Sequence, residues 1–382
     1  MSKALSLSNR NSSGLWGREE IFMAAARKTV SAKGKAKPST RLTEHLILAD
    51  FMHGLFGKKS FDEIQTLLRD VQEGYDEEGK SYLFHAIISW KNLDPRLRAN
   101  LETYDSRVRG YVDRINRHRD LPVTLTYFQH LGLLYNEIFL DRYFQSPQRF
   151  LDELNEYTYD IIEKQNLPTD FLFNDDDLRK LAFWMATGSG KTLILHFNYL
   201  QFMHYNTGPH RINLDNIILI TPNESLTNQH LTELAKSGIP GEAFQLRGGL
   251  FASTVTPTVV QVIDINKLTE QKKGQGVSVD IASFDTRNLV FVDEGHKGSG
   301  GTSWMDLRKK IAADGFTFEY SATFGQAVAA AGKKVEENNL LTEYAKSIIF
   351  DYSYRYFYRD GYGKDYRLLN VKDARFDQKT KQ

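Results

Sequence analysis

The chain has 382 residues, 41% hydrophobic and 25% charged, and its 49 Lys+Arg against 48 Asp+Glu leave a formal net charge of +1. That is ample material for a core and for two domains, and a near-neutral total neither favours nor excludes a polyanionic partner, because a local basic face can hide within it. The absence of cysteine excludes disulfides, thiolate zinc sites and cysteine nucleophiles; no apolar run reaches the ~20 residues of a membrane span and no signal-peptide core opens the chain, so a cytoplasmic protein is expected.

Residues 1–40 are rich in Ser, Lys and Ala, with Lys33, Lys35 and Lys37 close together. They read as a disordered basic tail, with a DNA-contacting arm as the other reading. Residues 41–165 are expected to form a helical N-terminal domain. Leu42, Leu46, Ile47, Phe51, Met52 and Leu55 recur at helical spacing, with Gly57 as a stop. Ser60 and Glu63 have the spacing of a capping box for a second helix. The stretches 82–90 and 97–117 continue helical, and residues 122–129 lead into a helix over 131–144 that reads as amphipathic. Glu78-Gly-Lys80 superficially resembles a nuclease Glu-x-Lys, but it lacks the strand and preceding Asp that two aligned carboxylates need. The acidic run Asn174-Asp-Asp-Asp177 reads as a solvated turn rather than a metal site.

Residues 166–358 are expected to form an α/β lobe with a mostly parallel sheet. Residues 180–185 read as a buried strand and 192–205 as a helix. Between them, Ala186, Thr187, Gly188, Ser189, Gly190, Lys191 and Thr192 make a phosphate-binding loop. Its glycines let backbone N–H groups curl around phosphate oxygens, and the helix then starts with its positive dipole end at the anion. Lys191 can reach the β- and γ-phosphates of ATP, and the Thr192 hydroxyl can join a Mg²⁺ shell. The strand 216–221 follows, then a strand over 258–265. The apolar run 288–292 delivers Asp293 and Glu294 at its carboxyl end, where open α/β sheets bind ligands. Asp293 is placed to hold Mg²⁺ and Glu294 to polarise the attacking water. A further strand, from Phe316, ends in Ser321, Ala322 and Thr323. The loop 270–280 is expected to bend into solvent, and His230 reads as an ordinary helix residue. Residues 345–353 read as a last strand.

Taken in order, these segments resemble superfamily 2 helicases and translocases. Residues 186–192 look like motif I, Asp293-Glu-Gly-His296 like motif II in its DExH form, Ser321-Ala-Thr323 like motif III, and residues 220–229 like motif Ia. Within that group the wording is most like the helicase (Res) subunit of type III restriction enzymes. The resemblance covers roughly residues 180–358 and implies a RecA-like lobe. It implies that His296 hydrogen-bonds near Ser321 or Thr323 and couples nucleotide state to the nucleic-acid face. It also implies that Thr221, Pro222, Asn223 and Gln229, with Arg247 and Lys267 from later loops, touch a sugar-phosphate backbone. An aromatic residue and a Gln upstream of motif I read adenine in such proteins. Phe128 and Gln129 suit that role, with core packing and capping as the plainer reading.

Such motors close ATP between two RecA-like lobes, the second bringing arginine fingers worth roughly 10³–10⁵ in rate. No Gln-x-x-Gly-Arg-x-x-Arg pattern follows Thr323. Residues 359–382 are therefore expected to be a linker toward a second lobe supplied in cis or trans. The expected activity is ATP hydrolysis coupled to movement on double-stranded DNA, with a DNA-recognition or methyltransferase subunit as a further partner. The alternative is an ATP-binding scaffold without motor activity of its own.

Overall fold

The computed structural model describes residues 41–244, 257–269, 279–280, 284–294, 309–331 and 337–363. The basic tail 1–40, Arg247, His296 and most of the loop 270–280 lie outside them.

Seven strands form one all-parallel sheet: β1 (Lys180–Met185), β2 (Asn216–Thr221), β3 (Gly241–Ala243), β4 (Val260–Asp264), β7 (Asn288–Asp293), β8 (Phe316–Ser321) and β9 (Ile348–Tyr352), in the order β3-β4-β2-β7-β8-β1-β9. Two-residue strands β5 (Leu268–Thr269) and β6 (Val279–Asp280) pair separately. The central strands are apolar runs because both faces are covered. Leu181, Phe183, Ile217, Leu219, Leu289 and Phe291 point into one core; Ile218, Ile220, Val290 and Val292 point into a second on the opposite face. Ala182 and Trp184 meet a third, built with Phe324, Val328 and Tyr344.

The helices of residues 41–165 share the largest of these cores with the sheet. A 3₁₀ turn at Leu42–Glu44 precedes the first α-helix, Ile47–Leu55, and Gly57 turns the chain at a left-handed φ of 67°. The next helix, Phe61–Leu68, starts where its spacing predicts, but Ser60 makes no side-chain cap, and Glu63 instead accepts from the Lys59 N–H at 3.1 Å. Pro95–Asn116 is capped by Asp94, which accepts from Leu97 N.

Tyr127–Gln145 departs most from expectation. It starts four residues before the predicted helix and is not amphipathic: every residue except Gln129 and Gln145 is buried. A helix covered all round is an interior helix. Two of its polar side chains are bonded inside: Asn136 donates to Gln201 at 2.7 Å, and Glu137 accepts from Gln201 at 2.8 Å and from the Tyr205 hydroxyl at 2.7 Å. Gln201 and Tyr205 belong to the helix Lys191–Tyr205 that follows the glycine loop 186–190. The predicted strand over 345–353 is also narrower. Residues 345–347 close the helix Glu337–Ser347, and only Ile348–Tyr352 pair with β1.

Candidate functional site

Parallel strands gather their carboxyl ends at one edge of the sheet. There β1, β8 and β7 are consecutive neighbours, with Trp184 opposite Ser321 and Tyr320 opposite Asp293. The glycine loop 186–190, the Ser-Ala-Thr segment and the acidic pair therefore leave the sheet side by side.

The loop is tied down before it turns. The Ala186 N–H donates to Tyr352 O at 3.0 Å, and the Ser189 hydroxyl folds back to Ala186 O at 2.7 Å. Gly188 and Gly190 hold left-handed φ values of 86° and 94°. A Cβ on Gly190 would also lie 2.6 Å from Gln129 Nε2. Gln129 braces the loop from the first turn of Tyr127–Gln145: Nε2 donates to Ser189 O at 3.0 Å, while Oε1 accepts from Thr126 N at 3.1 Å. Phe128 is buried and stacked at 3.8 Å and 7° on Tyr352, so its ring sits in the packing arrangement.

Thr187 and Gly188 are exposed, and Lys191 and Thr192 are half-buried in the first helical turn. Lys191 Nζ lies 3.6 Å from Glu294 Oε1, so segments about a hundred residues apart meet. Glu294 takes φ 55°, a left-handed value it shares, among described non-glycine residues, only with Asn166. Such a conformation costs about 1–3 kcal/mol and persists where surroundings impose it, often at a ligand site. Asp293, at the end of β7, accepts a hydrogen bond from His230 Nε2 at 2.9 Å. Ser321 Oγ accepts from the Thr323 N–H at 3.0 Å, and Trp184 Nε1 donates to Ala322 O at 3.0 Å, fixing the third segment against β1.

The other predicted residues collect at the ends of β2 and β4. Thr221 is fully buried, its hydroxyl 2.6 Å from that of Thr227, which makes it an internal brace of the turn. Asn223 caps the helix Glu224–Lys236 by accepting from Leu226 N, and Gln229 is exposed on that helix. Pro222 O accepts from Asn266, and Lys267 lies 3.4 Å from Glu224, so the two loops adjoin.

Sequence reasoning missed His230. Its partner is 63 positions away, and the one local signal is that it shares the inward stripe of its helix with Thr227 and Leu234.

The donor set suits a nucleotide with its cation. Glycines whose Cβ atoms would be strained or blocked leave room for backbone donors around phosphate, and Thr192 and Asp293 offer hard oxygens. Mg²⁺ usually takes one or two carboxylates along with phosphate oxygens rather than a protein cage. No group of three or more His, Asp or Glu able to hold a metal occurs among the described residues. A cavity of ≈ 530 Å³ opens near the amino ends of β1 and β8, lined by Asp177, Lys180, Glu319, Glu343 and Lys346. Its charges are already matched to one another, so size alone does not make it the reactive site.

Residues 148–326 match the family model described as type III restriction enzyme, res subunit, a helicase-family domain. The match begins within the helix Pro147–Gln165, upstream of the first motif, and ends just after the Ser-Ala-Thr segment. No curated protein matches the chain.

Proposed function

We propose that this chain provides the ATP- and Mg²⁺-binding face of a motor that hydrolyses ATP while moving along double-stranded DNA, in the restriction of foreign DNA. The observation that carries this reading is the approach of Lys191 to Glu294, with Asp293 beside it, at the carboxyl edge of a parallel sheet. Gly188, Ser189 and Gly190 direct main-chain donors at the phosphates, and Lys191 offsets their charge. Thr192 and Asp293 hold the cation, which neutralises charge developing on the phosphate oxygens. Glu294 orients the attacking water and draws on its proton. Asn223, Gln229 and Lys267, beside the turn that Thr221 and Pro222 shape, face the sugar-phosphate backbone. Ser321 and Thr323 lie between the two functions. A second RecA-like lobe, in cis or trans, completes the cleft, and a DNA-recognition or methyltransferase subunit directs it in the cytoplasm. In this reading residues 41–165 support the lobe 166–358.

The test is nucleotide binding followed by turnover. Lys191→Ala is expected to weaken Mg·ATP binding roughly 10- to 100-fold, the worth of hydrogen bonds to a charged group. Glu294→Gln is expected to keep binding and lose turnover; normal turnover in that variant removes the water-activating role. Duplex DNA should stimulate hydrolysis once the second lobe is supplied. Tight nucleotide binding with no stimulation by duplex DNA, single strands or RNA favours the scaffold instead.

A further inference from the structure

We propose that His230 is a positioning residue that fixes the Asp293 carboxylate for its cation. The inference rests on the reading above, in which Asp293 holds Mg²⁺. His230 is buried, and its Nε2 lies 2.9 Å from Asp293 Oδ2. A carboxylate only accepts, so Nε2 carries the proton and donates. Among the described residues Nδ1 is buried without a hydrogen-bond partner, and the ring's one hydrogen bond there is the one to Asp293. The bond engages Oδ2 and limits rotation of the carboxylate, leaving Oδ1 as the oxygen without that restraint.

The imidazole cannot drift, because its helix is anchored at both ends. Near the start, Thr227 Oγ1 lies 2.6 Å from Thr221 Oγ1 at the end of β2. β2 is the parallel neighbour of β7, with Ile220 opposite Val292, one residue before Asp293. At the far end, Ser237 Oγ is 2.8 Å from His196 Nδ1, on the helix of the phosphate loop, and accepts from Arg119 at 2.9 Å. His230 is thus held relative to the strand that carries Asp293 and to the helix that carries Lys191 and Thr192. Carboxylate ligands are oriented by such outer hydrogen bonds, and losing one costs typically 10- to 100-fold in metal affinity or activity.

The experiment measures Mn²⁺ binding to the full chain by electron paramagnetic resonance, with a non-hydrolysable ATP analogue, for wild type, His230→Phe, His230→Gln, His230→Ala and Asp293→Asn. Phe keeps a ring but cannot donate, and Gln presents an amide N–H where Nε2 stood. His230→Phe and His230→Ala are expected to raise the Mn²⁺ concentration for half-saturation about 10- to 100-fold. His230→Gln should stay within about threefold of wild type by the same logic, and metal-free binding of the analogue should not change. Wild-type Mn²⁺ binding in His230→Phe overturns the proposal, as does a His230→Gln no better than His230→Phe. If Asp293→Asn binds Mn²⁺ normally, the metal assignment itself falls; if it is impaired while His230→Phe is normal, only the positioning role falls.

Discussion

At the amino edge of the sheet Lys180 stands between Glu319, at 3.0 Å, and Glu343, while Lys346 holds Asp177 at 2.7 Å and Leu172 O at 3.1 Å. At the carboxyl edge Lys191 approaches Glu294 only to 3.6 Å, and Glu294 sits on a strained backbone. Both edges bring lysines and carboxylates to strand ends, yet at one edge the lysines meet their carboxylates at hydrogen-bond distance, whereas Lys191 stands at 3.6 Å from Glu294. Closed, multiply bonded pairs fix a structure; a loosely opposed pair on a strained backbone can exchange its partner for a ligand. The contrast teaches that charge content does not mark a site, whereas the pairing geometry does.

The strongest way to break this comparison is to open a closed pair. Glu319 is fully buried, and the Tyr344 hydroxyl donates to it at 3.1 Å. Lys180→Met would strand that carboxylate and is expected to cost about 3–5 kcal/mol in urea denaturation, as for other buried pairs missing one partner. Lys180→Met with Glu319→Gln should recover most of the loss, because removing both charges together is often near neutral. Nucleotide affinity of the folded protein should not change in either variant. Six residues of β1 put the two edges ~17 Å apart, so a large fall in affinity would mean that the edges are not independent.

A pair of titrating groups between the helices and the sheet sharpens the comparison next. Burial pushes the Glu137 carboxyl up from its ordinary 4.5 to about 7, against hydrogen bonds from Tyr205 and Gln201 that favour the charge. Burial pushes His196 down from 6.5 to about 3, with the neighbouring His230 and Arg119 adding to it. Unfolded Glu137 releases its proton near pH 4.5 and folded Glu137 near 7, so its contribution falls as pH rises through that window. His196 acts oppositely: its contribution is lost as pH falls below 6.5 toward 3. In wild type the two slopes offset each other between pH 4.5 and 6.5. Glu137→Gln leaves the histidine slope alone, so the variant should lose stability on acidification from pH 6.5. Its stability relative to wild type should drop by on the order of 3 kcal/mol from pH 7.5 to 4.5. A pH-independent difference in denaturation would show that Glu137 ionises normally.

These interior groups also mark where the sequence is legible and where it is not. β1, β2, β7 and β8 are legible because strands covered on both faces are continuous apolar runs, and the candidate site residues lie at strand ends. The helix Tyr127–Gln145 reads as amphipathic because Asn136 and Glu137 look like a solvent face when their partners, Gln201 and Tyr205, lie more than sixty residues away. His230 hides for the same reason, its role being set by a strand end reached only through the fold. The Ser60–Glu63 spacing allowed a capping box, but Glu63 took the Lys59 N–H instead, a choice between neighbouring donors that spacing cannot decide.

The smallest expected effect concerns Gln129, where bracing and base reading predict different outcomes. Both ends of its amide are engaged, Nε2 with Ser189 O and Oε1 with Thr126 N. Gln129→Ala removes one bond to the loop, worth about 1 kcal/mol, or roughly fivefold in nucleotide affinity. If the side chain braces the phosphate loop, the loss acts on the phosphates, so ATP and GTP should weaken in parallel and any preference between them should survive. If instead it reads adenine, ATP alone should weaken and discrimination should collapse. Binding of fluorescent ATP and GTP analogues to wild type and variant, each with Mg²⁺, separates the two. The present geometry predicts the parallel loss, because a side chain already bonded at both ends must surrender a contact before it can meet a base.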